Sequence, residues 1–296
     1  VDDDHPLALG CLERARRQVQ RAFLRGADLV VGVGYDTVEV EYEAWIGGTA
    51  LLQIDIEPVD TNGKVKVVHE VVGDLESSLA RLAAAAPIVN AWTDAELRRQ
   101  RDGFQAALRP EVARFSPHQA IDVVRAVLPS DGILAFDIGA HTHQIASQWA
   151  AHAPRTFLIT NGWSSMGFGL PAGIAAKLAR PELPVVCLIG DGCFQMTCGE
   201  IVVARREKLA LPVVVLNDGW LGLIKVKQQR RNLALYGTEL GTALDRPPAH
   251  YFGVPVVAVD GADGLATALR DALAAAGPTV IDVRVDPSHY TETVFD

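Results

Sequence analysis

The residues best suited to chemistry sit in two short runs, Gly190-Asp191-Gly192 and Asn217-Asp218-Gly219. Each follows an apolar segment that reads as a buried strand, Pro184–Ile189 and Pro212–Leu216. Twenty-four residues, 193 to 216, separate Gly192 from Asn217, enough for a turn, one helix and one strand. A crossover of that length returns the chain to the same sheet edge, where the Asp191 and Asn217 side chains can meet. Both offer hard oxygens, the ligands Mg²⁺ prefers at roughly 2.1 Å. Gly190 and Gly192 let a backbone approach a phosphate, and a helix starting a few residues later favours an anion. A divalent ion there would tie a diphosphate to an acidic protein. Taken alone, Gly-Asp-Gly equally fits a tight strand-to-helix turn with a solvated or capping Asp.

The elements that must position these residues alternate along the chain. In the first block, Ala27–Gly34, Ala50–Glu57 and residues 65–74 read as short strands, and 75–86 as an amphipathic helix. A charged, helical link follows as far as about Pro117. The second block predicts strands at Gly132–Phe136, Thr156–Ile159, Pro184–Ile189, Pro212–Leu216, Val254–Val259 and Thr279–Val285. Helices are expected at Ser116–Val127, Pro171–Ala179, Gly199–Glu207 and Ala262–Ala275. Such alternation means right-handed crossovers and an open, doubly wound parallel α/β sheet. Ligands of such sheets bind beyond the carboxyl ends of the strands, so the loops that matter read DIGAHT, TNGWSSMG, GDGC and NDGWLG.

Composition narrows the function. With 49% hydrophobic and 21% charged residues the 296-residue chain buries a proper core. A net charge of −9 without a basic stripe argues against nucleic acid as a partner. No apolar run approaches a membrane span, and the acidic start lacks signal-peptide character. The four cysteines (Cys11, Cys187, Cys193, Cys198) fall in no zinc spacing and read as reduced thiols in a cytoplasmic protein, without an adjacent His to make a catalytic pair.

The two runs, with their gap, resemble the metal motif of thiamine diphosphate enzymes, with Asp218 where many members have a second Asn. Within that family the chain is similar to the acetolactate synthase and benzoylformate decarboxylase branch. TNGWSSMGFGLPAGIAAK resembles the loop and helix preceding the metal motif, and DIGAHTHQ the first diphosphate-contacting loop. ADLVVGVG and LLQIDIEP resemble the second half of the middle domain. The resemblance implies a partial, Rossmann-like central domain over 1–87, a linker over 88–115 and the C-terminal thiamine diphosphate domain over 116–296. It implies that Asp191 and Asn217 hold Mg²⁺ by side chains and Gly219 by its carbonyl. Gly190 lies in the diphosphate turn, Gly192 and Cys193 donate backbone N–H groups, and Ala140 and His141 close the other side. Met166 props the cofactor in its bent shape, and the Ser164 carbonyl accepts from its amino group. The implied activity is a thiamine diphosphate- and Mg²⁺-dependent 2-keto acid decarboxylase or carboligase, working as a homodimer or tetramer.

Relatives carry a further pyrimidine-binding domain whose glutamate protonates the cofactor. No such segment is found here, so the chain is expected to be a fragment that binds cofactor weakly and turns over little without that domain or a partner subunit. Lys227 stands where acetohydroxyacid synthases commonly have a tryptophan, and Lys225, Lys227 and Arg230 either pair a substrate carboxylate or form a solvated helix face. Two other readings stay open: a non-catalytic subunit of the same fold, and a nucleotide-binding oxidoreductase. Asp55, 21 residues after Gly34, has the ribose-binding spacing, but Thr37 fills the third glycine position. His141 and His143 are read as a solvated loop rather than a metal pair.

Overall fold

The computed structural model of the protein describes residues 2–35, 45–61, 63, 65–85, 91–160, 162–241 and 247–294. Thr37, Ala86, the boundary at Pro87 and Asn161 fall outside them. The first block contributes α1 (Arg17–Leu24), β1 (Leu29–Val33), β2 (Ala50–Asp55), β3 (Lys66–Val72) and α2 (Leu75–Ala83), and the link carries α3 (Asp94–Ala107). Then come α4 (Pro117–Val127), β4 (Ile133–Phe136), α5 (Ala140–Gln148), β5 (Phe157–Leu158), α6 (Gly169–Ala179) and β6 (Val185–Gly190). The chain continues through α7 (Asp191–Thr197), α8 (Ile201–Arg206), β7 (Pro212–Asn217) and α9 (Gly222–Arg230). It closes with β8 (His250–Tyr251), β9 (Val254–Val259), α10 (Ala262–Leu273), β10 (Thr279–Arg284) and α11 (Tyr290–Thr293).

Local sequence explains several boundaries. Thr93 and Glu96 form a capping box at the start of α3, and Ser116 and Gln119 do the same for α4, whose first residue is Pro117. The second sheet has the order β5-β4-β6-β7-β10-β9-β8. Its strands are apolar on both faces, and period two divides them between two helical layers. Leu134, Phe136, Val186, Leu188, Val214, Leu216, Ile281 and Val283 pack under α4, α5 and α10. Ile133, Val185, Cys187, Ile189, Val213, Val215 and Val280 pack with α6 and α8 on the other face. Each fully buried Leu, Ile or Phe here contributes roughly 1.5–3 kcal/mol.

Two details depart from an all-parallel sheet of regular strands. The edge strand β8 pairs antiparallel with β9, and β5 spans two residues rather than the expected four. More consequential is the chain's reversal of direction: β5 lies outside β4, whereas β6 lies on its other side. The crevice beyond the carboxyl ends of β4 and β6 is therefore the switch point at which such sheets bind ligands.

The first sheet is parallel, in order β1-β2-β3, and leaves Leu29, Val31 and Val33 exposed on one face. The segment before α1 is fastened to the second block. Asp3 N donates to Ala151 O (3.1 Å), Ala15 N to His143 O (3.3 Å) and Arg16 N to Thr293 O (2.8 Å).

Candidate functional site

At the switch point lies a cavity of about 230 Å³. Ala140 and His141 line it from α5, Ser164 and Met166 from the loop before α6, and Gly190, Gly192 and Cys193 from the β6–α7 junction. All seven residues expected to contact a cofactor thus share one cavity. Helix α7 begins at Asp191 itself, not a few residues later, and α5 begins directly at Ala140. Two helix amino ends, capped by Gly139 and Gly190, therefore converge on the cavity; Thr142 N already donates to Gly139 O (3.2 Å) and Gly192 N to Asp191 Oδ1 (2.8 Å), and helix geometry gives the other first-turn N–H groups no intrahelical acceptor.

This early helix start also corrects the reading of His141 and His143 as a solvated loop. His141 is buried and His143 half-buried on the first turn of α5. Burial pushes the His141 imidazole down to about 4, so the ring is neutral. Its Nε2 is buried with no hydrogen-bond partner among the described residues, an orphan that suits an anionic ligand in the cavity. The two glycines also meet side chains closely. A Cβ on Gly190 would come 3.0 Å from His141 Cε1, and one on Gly192 would come 2.8 Å from Leu221 Cδ2. They are small so that these side chains can close in.

The loop carrying Ser164 and Met166 is held by Asp137, a residue the sequence reading passed over. Its carboxylate is fully buried beyond β4 and accepts from Gly167 N (3.0 Å), Gly169 N (2.8 Å) and Ile138 N (2.8 Å). Met166 is thereby pressed against the core cluster containing Cys193 and Phe194. Ser164 sits in the left-handed region at φ 48°, a costly conformation for a non-glycine residue that persists where surroundings enforce it.

Asp191, Asn217 and Gly219 line a second cavity of about 530 Å³, and Asp191 and Asp218 line both. Asp191 is 8% exposed and accepts from Gly192 N (2.8 Å) and Gly219 N (2.7 Å). Burial raises its carboxyl to about 6 despite those two bonds. Asp218 rises to about 7, through burial and then the Asp191 charge. Asn217 Nδ2 donates to both oxygens of Asp282 (3.1 and 3.2 Å), so Oδ1 is the end it offers to a cation. The Gly219 carbonyl accepts from Leu240 N (2.9 Å) and has one lone pair left. Asp191, Asp218 and Asp282 gather largely buried acid at this cavity, whose lining also carries Arg114 and Arg284. An all-oxygen donor set of carboxylate, amide and carbonyl is the chemistry of a hard divalent ion, and the orphaned imidazole and two helix ends are that of a diphosphate. The residues fit Mg²⁺ and thiamine diphosphate.

Other candidates separate. All four cysteines are free; Cys193 donates its thiol to Ile138 O (3.0 Å), and burial raises the thiols of Cys11, Cys187 and Cys193, which opposes a thiolate nucleophile. Lys225 stacks over Trp220 at 3.6 Å, Arg230 is exposed, and Lys227 lines a third cavity. Asp55 accepts from Gln53 Nε2 (3.2 Å) and Ile56 N (2.6 Å). Among the described residues no helix is long and apolar enough to cross a membrane.

The family model described as thiamine pyrophosphate enzyme, C-terminal TPP binding domain, matches residues 137–283, and that of the central domain matches 1–82. The chain is similar to the catabolic acetolactate synthase of Raoultella terrigena, 31% identical over 278 residues, covering 89% of this chain and 48% of that protein. It is similar to the acetolactate synthase isozyme 1 large subunit of Escherichia coli, 28% identical with 95% and 51% covered. The acetolactate synthase of Bacillus subtilis is 27% identical, with 95% and 51% covered. The chain thus spans about half the length of the curated relatives it matches.

Proposed function

The chain belongs to the thiamine pyrophosphate enzyme family, and from that premise we propose that it is the cofactor-diphosphate part of a Mg²⁺-dependent 2-keto acid decarboxylase or carboligase of the acetolactate synthase type. The observation that carries this reading is the convergence of Ala140, His141, Met166, Gly192 and Cys193 on one switch-point cavity whose far wall is Asp191. When bound, thiamine diphosphate supplies the nucleophilic carbon that adds to a 2-keto acid and the ring that takes up electrons as CO₂ leaves. The protein's work is to hold and orient it. Asp191 Oδ2, Asn217 Oδ1 and the Gly219 carbonyl would hold the ion. First-turn N–H groups of α5 and α7, with the neutral His141 ring, would bind the diphosphate. Met166, fixed through Asp137, would set the cofactor's bend, and Ser164 would receive its amino group.

Residues 1–87 read as part of the central domain, 88–115 as a linker and 116–296 as the cofactor domain. The exposed face of Leu29, Val31 and Val33 supports further protein packing there, in keeping with the homodimer or tetramer we expect. The test is CO₂ release and carbon–carbon ligation by the full-length protein with thiamine diphosphate, Mg²⁺ and a panel of 2-keto acids. Turnover that stops on metal removal is expected. Saturable cofactor binding without turnover of any acid would instead identify a non-catalytic subunit.

A further inference from the structure

Beside the cofactor cavity, and sharing Ile138, Gly139, Ser164 and Leu223 with it, lies a third cavity of about 490 Å³. Its lining carries four cations: Arg14 from the segment before α1, Arg17 at the start of α1, Lys227 from α9 and Arg231 at its end. In a protein of net charge −9 this is a local reversal of sign. The one carboxylate in the lining, Glu13, accepts from Nε and Nη2 of Arg21, which lies outside the cavity. Arg17 Nε is buried with no hydrogen-bond partner among the described residues. That the cations are close together is also felt by His143, which lines the same cavity. After burial itself, the charges of Arg14, Lys227 and Arg17 are the forces that depress its imidazole, to about 3.

Several like charges around one concavity repel, and a bound anion relieves that repulsion while matching the planar forks of two arginines. The position relative to the cofactor cavity decides which anion. The carboxylate of a 2-keto acid departs at the cofactor, so its place is in the first cavity. A second anionic group, borne on the far end of the same molecule, would extend past Ser164 and Leu223 into the third. We propose that the substrate taken at this site is a 2-keto acid with a distal anionic group, such as a 2-keto dicarboxylate, and that Arg14, Arg17, Lys227 and Arg231 receive that group. This assignment rests on the reading of the neighbouring cavity as the cofactor's.

The experiment compares 2-oxoglutarate with 2-oxovalerate, equal in carbon number and different in distal charge, in the full-length protein loaded with thiamine diphosphate and Mg²⁺. The expected result is a kcat/KM ratio of at least ~10 in favour of 2-oxoglutarate, since a charge-assisted contact carries about that factor. Lys227→Met, on an exposed position that tolerates change, and Arg17→Met should each lower the ratio several-fold, with the loss in KM. A ratio at or below one, or a ratio untouched by both substitutions, overturns the proposal. A second arm titrates glutarate, a non-reacting dianion, into the protein without cofactor. Binding that weakens in both variants supports the anion site even if no 2-keto acid is turned over, in which case the cofactor reading is the one that fails. Turnover of monocarboxylic 2-keto acids without glutarate binding keeps the cofactor reading and sinks this one.

Discussion

Replacing Asp191 with Asn should stabilise the metal-free protein at neutral pH and abolish its response to Mg²⁺. Burial raises the Asp191 carboxyl from 3.8 to about 6. At 1.36 kcal/mol per pH unit, the ionised form costs the fold about 3 kcal/mol above pH 6. An acid whose folded pKa is raised binds more protons when native. Its destabilisation is therefore full above the folded value, shrinks as pH falls toward 3.8, and vanishes below it. Asn carries no charge, yet it returns one oxygen for two and loses an acceptor for Gly192 N or Gly219 N, at about 1–2 kcal/mol. The net gain at pH 7.5 in EDTA is then about 1–2 kcal/mol, and it should turn into a loss near pH 4. Wild-type stability against pH does not isolate this effect, because His141 and His289, depressed to about 4, and His143, depressed to about 3, push the other way. A buried neutral histidine costs stability as pH falls below 6.5. The variant-minus-wild-type difference cancels the histidine terms and keeps, besides Asp191 itself, the part of the Asp218 shift that the Asp191 charge causes. Urea unfolding of both proteins from pH 4 to 8, with EDTA or Mg²⁺, measures it. A pH-independent difference, or equal stabilisation of both proteins by Mg²⁺, would refute the argument.

Other outcomes follow from the same geometry. Asp282→Ala releases the Asn217 amide and should weaken Mg²⁺ about tenfold or more, read as the metal concentration needed for half-maximal cofactor binding. Asp137→Asn turns a donor toward Gly167 N or Gly169 N and should cost about 2 kcal/mol in urea unfolding, with weaker cofactor binding as the Met166 loop loosens. Gly169→Ala places a Cβ 2.6 Å from Ile189 Cγ2 and 3.1 Å from Asp137 Cβ, and should lower stability by about 1–3 kcal/mol in the same assay.

Much of this molecule was legible before its structure. Strands such as Pro212–Asn217 declare themselves because both faces are buried, so apolar runs end sharply where ligands bind. The motif at Asp191 and Asn217 was legible for the same reason. What escaped reading depends on contacts between distant segments. Asp137 ends the apolar run Ile133–Phe136 much as Asp191 ends its own, and that likeness was the available signal. Its partners Gly167 and Gly169, however, are supplied by a fold that local pattern does not contain. Asp282 lies within a strand and looks like an interruption until Asn217 is placed beside it. The cations of the third cavity come from the first and last thirds of the chain, too far apart for spacing to join them.

The most direct test of the central claim is a calorimetric titration of the full-length protein with thiamine diphosphate, with and without Mg²⁺, beside Asp191→Ala. Saturable binding that requires both the metal and Asp191 is the predicted result. Binding that is unchanged by EDTA and by the substitution, or absent altogether, would contradict the account and leave Gly190-Asp191-Gly192 as a strand-to-helix turn.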